Sequence, residues 1–294
     1  MGIDHIGYII GSLIVVGLVI YFGTYIKKQK WKNVYIITWT FLCFFFHIST
    51  MYLTFFAKGN NTNHGNAYDN QIFPIYFCNF IMYLNLVCAI WHDKTTRFFK
   101  NMATFSAWGG IFGALITLFS TSPGLAPFLE NPSWATWWNS WYDFQSSVSH
   151  TCLLIGSLLL ISQGYVKLNV YNLIPFSFGI VVSAALGGFV MLIYWLGGKE
   201  IPNAMYLLHG PKECPEMHGG YFALAMIGII FVITALIEQF TKKKEDRWYK
   251  SIKDINIYLP IDKEERALKA QKKLAEKEQA RLEKEKQESL IKEN

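Results

Sequence analysis

Two residues in the apolar part of the sequence have side chains suited to nucleophilic chemistry. A thiol and an imidazole within hydrogen-bond reach can act as a nucleophile and its base. The base is needed because a free thiol is mostly protonated near neutral pH, and the thiolate is the nucleophile. Cys78 lies five residues into one apolar run, and His150 lies nine residues into another. If both runs are helices entering from the same membrane surface, these depths are about 8 and 14 Å. The spacing therefore favours a Cys78–His150 pair in one half of a helix bundle.

Both side chains also have an ordinary structural interpretation. Cysteine is common in apolar interiors, and a single histidine on a helix often makes one packing hydrogen bond. Cys78 shares a helical face with Asn85, and His150 shares one with three polar residues, Asp143, Ser146 and Ser147. Cys43 and His47 form another polar pair four residues apart. Residue types alone favour interior packing over catalysis.

Long apolar runs are the elements that must position these side chains. The chain has 294 residues, of which 52% are hydrophobic and only 16% are charged, below the roughly 25% charged content of soluble domains. This composition excludes a soluble globular enzyme, a disulfide-stapled miniprotein and a disordered chain. Seven runs are long enough to cross a bilayer as helices: residues 6–26, 34–57, 73–92, 101–121, 141–163, 171–196 and 218–240.

The distribution of charge predicts two domains and an orientation. Residues 241–294 hold 28 of the 48 charged residues, so we predict a seven-helix membrane domain over 1–240 and a charged, helical cytoplasmic tail over 241–294. Lysine and arginine cluster after the first, third, fifth and seventh runs, which places the N-terminus outside and the C-terminus in the cytoplasm. The fold class is thus an all-α polytopic membrane protein, multi-pass in the cell membrane. The charge of +6 is no nucleic-acid signature, because the tail mixes its bases with acids.

Two further patterns bear on packing and on the membrane surface. Four tryptophans are spaced like one face of a short helix at the outer interface, where indole rings prefer to sit: Trp134, Trp137, Trp138 and Trp141. Small residues at four-residue spacing predict close helix contacts: Gly7 and Gly11, Gly109 and Gly113, and Gly179, Ser183 and Gly187.

No metal or cofactor site is predicted. His209, Cys214 and His218 lie in one external loop, but their spacing matches no compact zinc pattern. The sequence also lacks nucleotide-binding fingerprints and a zinc-protease motif. A structured loop that caps the bundle is the better interpretation of this segment.

Four segments, in order, resemble the YwaF-like family of multispanning bacterial membrane proteins. The family's Leu-Pro-Leu-His-Leu-Cys-Asp stretch is matched by residues 73–79, Phe-Pro-Ile-Tyr-Phe-Cys-Asn. Its aromatic, glycine-rich span is matched by residues 105–123, and its Ser-His motif by Ser149 and His150. Its Asn-x-Met-Tyr-Leu stretch is matched by residues 203–207. The resemblance covers about residues 73–235.

The resemblance implies an activity and assigns residues to it. Eukaryotic relatives of the family are described as acyltransferases that move a fatty acyl chain between phospholipids through a cysteine thioester. The motif cysteine corresponds to Cys78, and the Ser-His histidine corresponds to His150. The chain departs from the motif at Tyr76, where the family has His, and at Asn79, where it has Asp. If the motif His is the base in the family, His150 has to serve alone here.

The sequence therefore suggests a lipid acyltransferase that works without a cofactor in the outer half of the bilayer. Cys78 is the expected nucleophile and His150 the expected base, while Asn79, Asn203 and Tyr206 are expected to bind the substrate by hydrogen bonds. Membrane lipids are the partners, with a lysophospholipid or a lipoprotein as acceptor. The alternative is a non-catalytic bundle that binds or transports a small hydrophobic ligand. Ion translocation is disfavoured, because the middle of the runs lacks acids.

Overall fold

The computed structural model describes residues 3–56, 74–120, 122–210, 215–216, 218–244, 247–251, 271–272, 274–276, 278–281 and 283. Every regular element in these ranges is helical. The helices are α1 (Ile3–Tyr25), α2 (Gln29–Phe56), α3 (Phe77–Ile90), α4 (Arg97–Ser120), α5 (Ala126–Glu130), α6 (Trp134–Ser162), α7 (Leu173–Leu196), α8 (Gly219–Thr241) and α9 (Trp248–Ser251). Short 3₁₀ turns occupy Val170–Asn172 and Ala204–Tyr206.

The chain divides into two compact units, residues 1–248 and 249–294. The boundary lies eight residues after the predicted one at 240/241. Within the second unit, the described residues from 271 to 283 are helical, as the tail composition predicts.

Within the described residues, five helical segments are long and apolar enough to cross a membrane, so the chain is an integral membrane protein of the helical class. The segments are His5–Tyr25, Arg97–Ser120, Asp143–Ser162, Val170–Leu196 and Gly219–Thr241. They coincide with five of the seven predicted runs.

The other two predicted runs, 34–57 and 73–92, correspond to helices α2 and α3. Neither is among the described segments that are long and apolar enough to cross a membrane. Helix α2 has 28 residues, but its side chains are described only as far as Ser49, and this described part is not among the segments apolar enough to cross a membrane. Helix α3 has 14 residues and is therefore about 21 Å long, shorter than the roughly 30 Å hydrocarbon layer. Residues 74–76 before it are not helical. Seven crossings thus remain a prediction.

Helix α6 lies at the centre of the first unit. It packs against α1, α2, α3 and α4, while α7 packs against α4 and α8. All residues from Ser149 to Ser157 are buried, so this part of α6 is surrounded on every side. In the most apolar stretch of Asp143–Ser162, 67% of the residues are buried, compared with 22% in His5–Tyr25. The site residue His150 is therefore on the central helix, and α1 is peripheral.

Glycines allow the close approach of α3 and α4, as predicted. A Cβ on Gly109 would lie 2.8 Å from Ile81 Cδ1, and one on Gly113 would lie 3.1 Å from Cys78 Cβ. The prediction fails for the glycines of α1, because no described atom lies within 4 Å of a Cβ placed on Gly7 or Gly11. That face of α1 packs against none of the helices described above.

A buried polar junction joins three helices below the site. Asn85 of α3 donates from Nδ2 to Ser157 Oγ of α6 at 2.9 Å, and Ser106 of α4 donates to Asn85 Oδ1 at 3.1 Å. All three side chains are at most 1% exposed. Paired polar groups of this kind fix helix register, because a shift along any helix would leave a buried group without a partner.

The buried carboxylate of Glu238 fastens the end of α8. Its Oε1 accepts from the backbone N–H of Val170 at 2.9 Å, and its Oε2 accepts from that of Trp248 at 3.0 Å. Lys242 Nζ lies 3.1 Å from Oε1. The sequence places this acid near the end of an apolar run but gives no sign of its partners.

The four tryptophans form the first two turns of α6 rather than a separate short helix. Ser133 caps the helix through a reciprocal hydrogen-bond pair with Thr136. Trp134 is 74% exposed and stacks on Trp138, with ring centroids 5.7 Å apart. Trp141 is held inside, where its Nε1 donates to Ser49 Oγ at 3.0 Å. The tryptophan segment is therefore continuous with the central helix that carries His150.

Candidate functional site

Cys78 is placed in the first turn of α3. The helix begins at Phe77, and the N-cap residue Tyr76 makes no side-chain cap. The backbone N–H of Asn79 donates to the Tyr76 carbonyl at 3.1 Å. The Asn79 Oδ1 lies 3.5 Å from Sγ and accepts the thiol proton. The positive end of a helix dipole favours negative charge at this location, as in many reactive cysteines.

His150 presents an unused nitrogen to the protein interior. Its Nδ1 lies 2.7 Å from the Ser146 carbonyl oxygen. A carbonyl can only accept, so Nδ1 carries the proton and the neutral ring has its lone pair on Nε2. The Nε2 atom is buried and has no hydrogen-bond partner among the described residues. Leaving such an acceptor unpaired costs roughly 1–3 kcal/mol, and an unprotonated imidazole nitrogen is what a general base requires.

Contacts with α2 give the relative direction of α3 and α6. Along α2, Cys43 donates to the Ser149 carbonyl at 3.2 Å, and Ser49 accepts from Trp141. Partner numbers on α6 fall as α2 numbers rise, so these two helices are antiparallel. Contacts between α2 and α3 follow the same order: Thr40 and Asn85 meet at Gly156, while the His47 ring packs on Tyr83. Helices α3 and α6 are therefore parallel to each other.

The Asn85–Ser157 hydrogen bond sets the level of the two candidate site residues. Cys78 precedes Asn85 by seven residues, and His150 precedes Ser157 by seven. Seven residues are about two helical turns, or roughly 10 Å, and return to the same helix face. Cys78 and His150 thus lie at the same depth, in one layer above the polar junction. No hydrogen bond joins them, since His150 Nε2 has no partner.

A second imidazole lies in the same region and was not among the predicted site residues. The Nε2 of His47 is also buried without a hydrogen-bond partner. Its ring packs edge-on against Tyr83, with centroids 5.8 Å apart, and it lies one helical turn after Cys43, which donates to the Ser149 carbonyl. The four-residue spacing of Cys43 and His47 was the available sequence signal.

The structure brings Tyr206 to the start of α3. The backbone N–H of Met205 donates to the Ile75 carbonyl at 2.7 Å, and the rings of Tyr76 and Tyr206 lie 5.7 Å apart. Met205 and Tyr206 have φ angles of 53° and 55°. Residues other than glycine rarely adopt this left-handed region. The 3₁₀ turn is thus held in a strained form beside the segment that leads into Cys78.

The side-chain amide of Asn203 forms hydrogen bonds within its own loop. Its Oδ1 accepts from Leu208 N at 2.9 Å, and its Nδ2 donates to the His209 carbonyl at 2.7 Å. The amide therefore shapes the turn that presents Tyr206. In this conformation it would have to give up a loop bond to bind a substrate.

Thiols and candidate metal ligands do not form a further centre in the described part of the chain. Cys43, Cys78, Cys88 and Cys152 are free thiols. No three histidine, cysteine, aspartate or glutamate side chains are grouped for metal binding within the described ranges. Cys214, a candidate metal ligand in the same loop as His209 and His218, lies outside the described residues.

Comparison with known proteins gives no relative: no family model, curated protein or solved structure matches the chain.

Proposed function

We propose that the protein is a membrane-embedded acyltransferase that carries the acyl chain as a thioester on Cys78. The observation that carries the proposal is the unpaired Nε2 of His150 at the depth of Cys78. The resemblance to the YwaF-like family supports the same pair. The chemistry needs no cofactor.

The first half-reaction moves an acyl group from a phospholipid to the protein. His150 Nε2 takes the thiol proton, and Cys78 Sγ attacks the carbonyl carbon of the acyl ester. The developing oxyanion accepts hydrogen bonds from N–H groups at the start of α3. The ester C–O bond then breaks, and the leaving lysophospholipid oxygen receives the proton from the imidazolium. Tyr206 and Asn79 are placed near the start of α3 to contact the head group.

The second half-reaction releases the acyl group to the acceptor. An acceptor hydroxyl or amine loses its proton to His150 Nε2 and attacks the thioester carbon. The C–S bond breaks, and the Cys78 sulfur regains the proton from the imidazolium. A lysophospholipid or a lipoprotein amine fits this step. The thiol and Nε2 must approach during the reaction, as catalytic hydrogen bonds often do only when substrate is bound.

The proposed orientation places this site in the outer half of the cell membrane. Lys27 and Lys28 lie between α1 and α2, and Lys30 and Lys32 lie in the first turn of α2. This cluster favours a cytoplasmic location for that end of the bundle and for the tail. In sealed right-side-out vesicles, added protease should leave a C-terminal epitope intact and should remove it after permeabilisation. Loss of the epitope before permeabilisation would reverse the orientation.

A covalent-label experiment tests the activity. Wild type and Cys78→Ser are purified into nanodiscs that contain alkyne-tagged phospholipid, and the protein is examined for a hydroxylamine-labile label. We expect the label on wild type and none on Cys78→Ser, because a serine ester resists neutral hydroxylamine and serine is a weaker nucleophile here. Cys88→Ala, in the same helix and fully buried, is the matched control and should label like wild type.

The same experiment distinguishes the acyltransferase from the alternative, a non-catalytic binding bundle. A non-catalytic bundle for a hydrophobic ligand would give no covalent label and would tolerate Cys78→Ala without change in ligand binding. An unlabelled, folded wild type with verified lipid supply would reject the acyltransferase in favour of that bundle.

A further inference from the structure

An open cleft lies between the end of α1 and the start of α2, away from the proposed acyl-transfer site. Its volume is about 590 Å³, within the range of small-ligand sites. The lining residues are Tyr25, Ile26, Lys27, Lys28, Trp31, Val34, Tyr35 and Thr38. Lys28 and His47 are 19 residues apart along α2 and the turn before it, or about 28 Å. The cleft is therefore at the opposite end of the bundle from His47 and His150.

The polar end of the cleft is positively charged. Lys27 and Lys28 are exposed, and neither forms an ion pair with a carboxylate in the described ranges. The first turn of α2 contains no acidic residue. Its amides begin directly after Lys28, whose carbonyl accepts from Trp31 N and Lys32 N. Two lysines beside a helix N-terminus favour an anionic group such as a phosphate.

The walls of the cleft are fixed to the bundle. Tyr35 OH donates to the Val19 carbonyl of α1 at 2.9 Å, and its ring fills the space beside Gly23. Gln29 donates to Tyr165 OH at 2.6 Å, and Tyr165 OH donates to Asn33 Oδ1 at 2.6 Å. These bonds hold both sides of the cleft in place without a ligand, which lowers the ordering cost of binding.

An apolar stripe leads from the cleft along the outer face of α2. Its members recur at intervals of three and four residues and are exposed: Trp31, Val34, Thr38, Phe41 and Phe45. On α1, Tyr25, Phe22 and Leu18 are each more than half exposed. A phosphate at the lysines would thus be followed by an apolar path long enough for an acyl chain.

We propose that this cleft binds an anionic phospholipid, with its phosphate at Lys27, Lys28 and the start of α2. One acyl chain follows the apolar stripe of α2. The combination of charge at one end and a continuous apolar face selects a lipid over a soluble anion. Basic and aromatic residues at a membrane edge are suited to this role. The site is independent of the proposed acyl-transfer chemistry.

Lipid binding to the full-length protein tests the site. Native mass spectrometry in a mild detergent would measure apparent affinities for phosphatidylglycerol and phosphatidylcholine. We expect wild type to prefer phosphatidylglycerol. Lys27→Ala combined with Lys28→Ala should weaken its binding by about tenfold or more, since each lysine near an anionic surface contributes on the order of a kcal/mol.

A matched double variant removes the same charge elsewhere. Lys243→Ala with Lys244→Ala, at the exposed end of α8, should bind phosphatidylglycerol like wild type. Equal losses in both double variants, or equal affinity of wild type for the two lipids, would overturn the proposal. Competition by glycerol 1-phosphate at the concentration of the lipid would also overturn it, because the site would then recognise the phosphate alone.

Discussion

Replacing His150 by glutamine should slow formation of the thioester label by about 10²- to 10⁴-fold, the usual contribution of a general base. Glutamine is polar and of similar length, so its amide can still donate to the Ser146 carbonyl that now binds Nδ1. It cannot take up the thiol proton. The initial rate of labelling in nanodiscs with tagged phospholipid measures the effect.

His47→Gln is the matched control for this prediction. His47 is another buried histidine with an unpaired Nε2, so the substitution imposes a similar burial cost on the bundle. We expect His47→Gln to label within a few-fold of the wild-type rate. A wild-type rate in His150→Gln would remove His150 from the mechanism, and a loss confined to His47→Gln would transfer the role of base to His47.

Hydropathy predicts the outer parts of this fold better than its centre. Helices α7 and α8 are strongly apolar because most of their side chains face outward, and their limits lie close to the predicted runs. Helix α2 faces several buried neighbours and contains polar residues that pair with them, such as Cys43 with Ser149. Its helical state is predicted correctly, but the described part of α2 is not among the segments long and apolar enough to cross the bilayer.

The N-terminal boundary of α3 could not be predicted from the sequence alone. The apolar run begins at residue 73, but the helix begins at Phe77. Pro74 precedes Ile75, and the Ile75 carbonyl accepts from Met205 N. A contact with a residue 130 positions later thus binds the segment just before the helix. Because of this boundary Cys78 lies in the first helical turn, just before the amides of Asn79 and Phe80, which donate to the Tyr76 carbonyl.

The site residues differ in how far local spacing reveals them. The sequence places Cys78 and His150 in one half of the bundle, at depths of about 8 and 14 Å. Their common depth follows instead from the hydrogen bond between Asn85 and Ser157 on two parallel helices. The unpaired Nε2 could not be predicted, because it depends on which side chains surround the ring. The substrate role predicted for Asn203 also depends on tertiary structure, since its amide is bonded to Leu208 and His209 of its own loop.

Gly179→Ala should destabilise the membrane unit by about 2 kcal/mol or more, as overpacking of a filled interior does. A Cβ on Gly179 would overlap the Phe105 ring at Cδ2. Phe105 is 4% exposed and packs against the rings of Phe77 and Phe176 at 5.9 and 5.7 Å. Its ring therefore has little room to move away. Unfolding in mixed micelles, followed by circular dichroism, measures the free-energy difference.

Gly188→Ala provides the control on the same helix, because no described atom lies within 4 Å of a Cβ there. Alanine is the better helix former by roughly 1 kcal/mol, so this variant should be as stable as wild type or slightly more stable. Equal destabilisation by both substitutions would indicate a backbone effect instead of a clash.

Phe105→Leu should recover part of the loss of stability in Gly179→Ala. Since Phe105 also contacts Phe77, displacement of its ring would disturb the first turn of α3 and slow acyl labelling at Cys78 in the same variant.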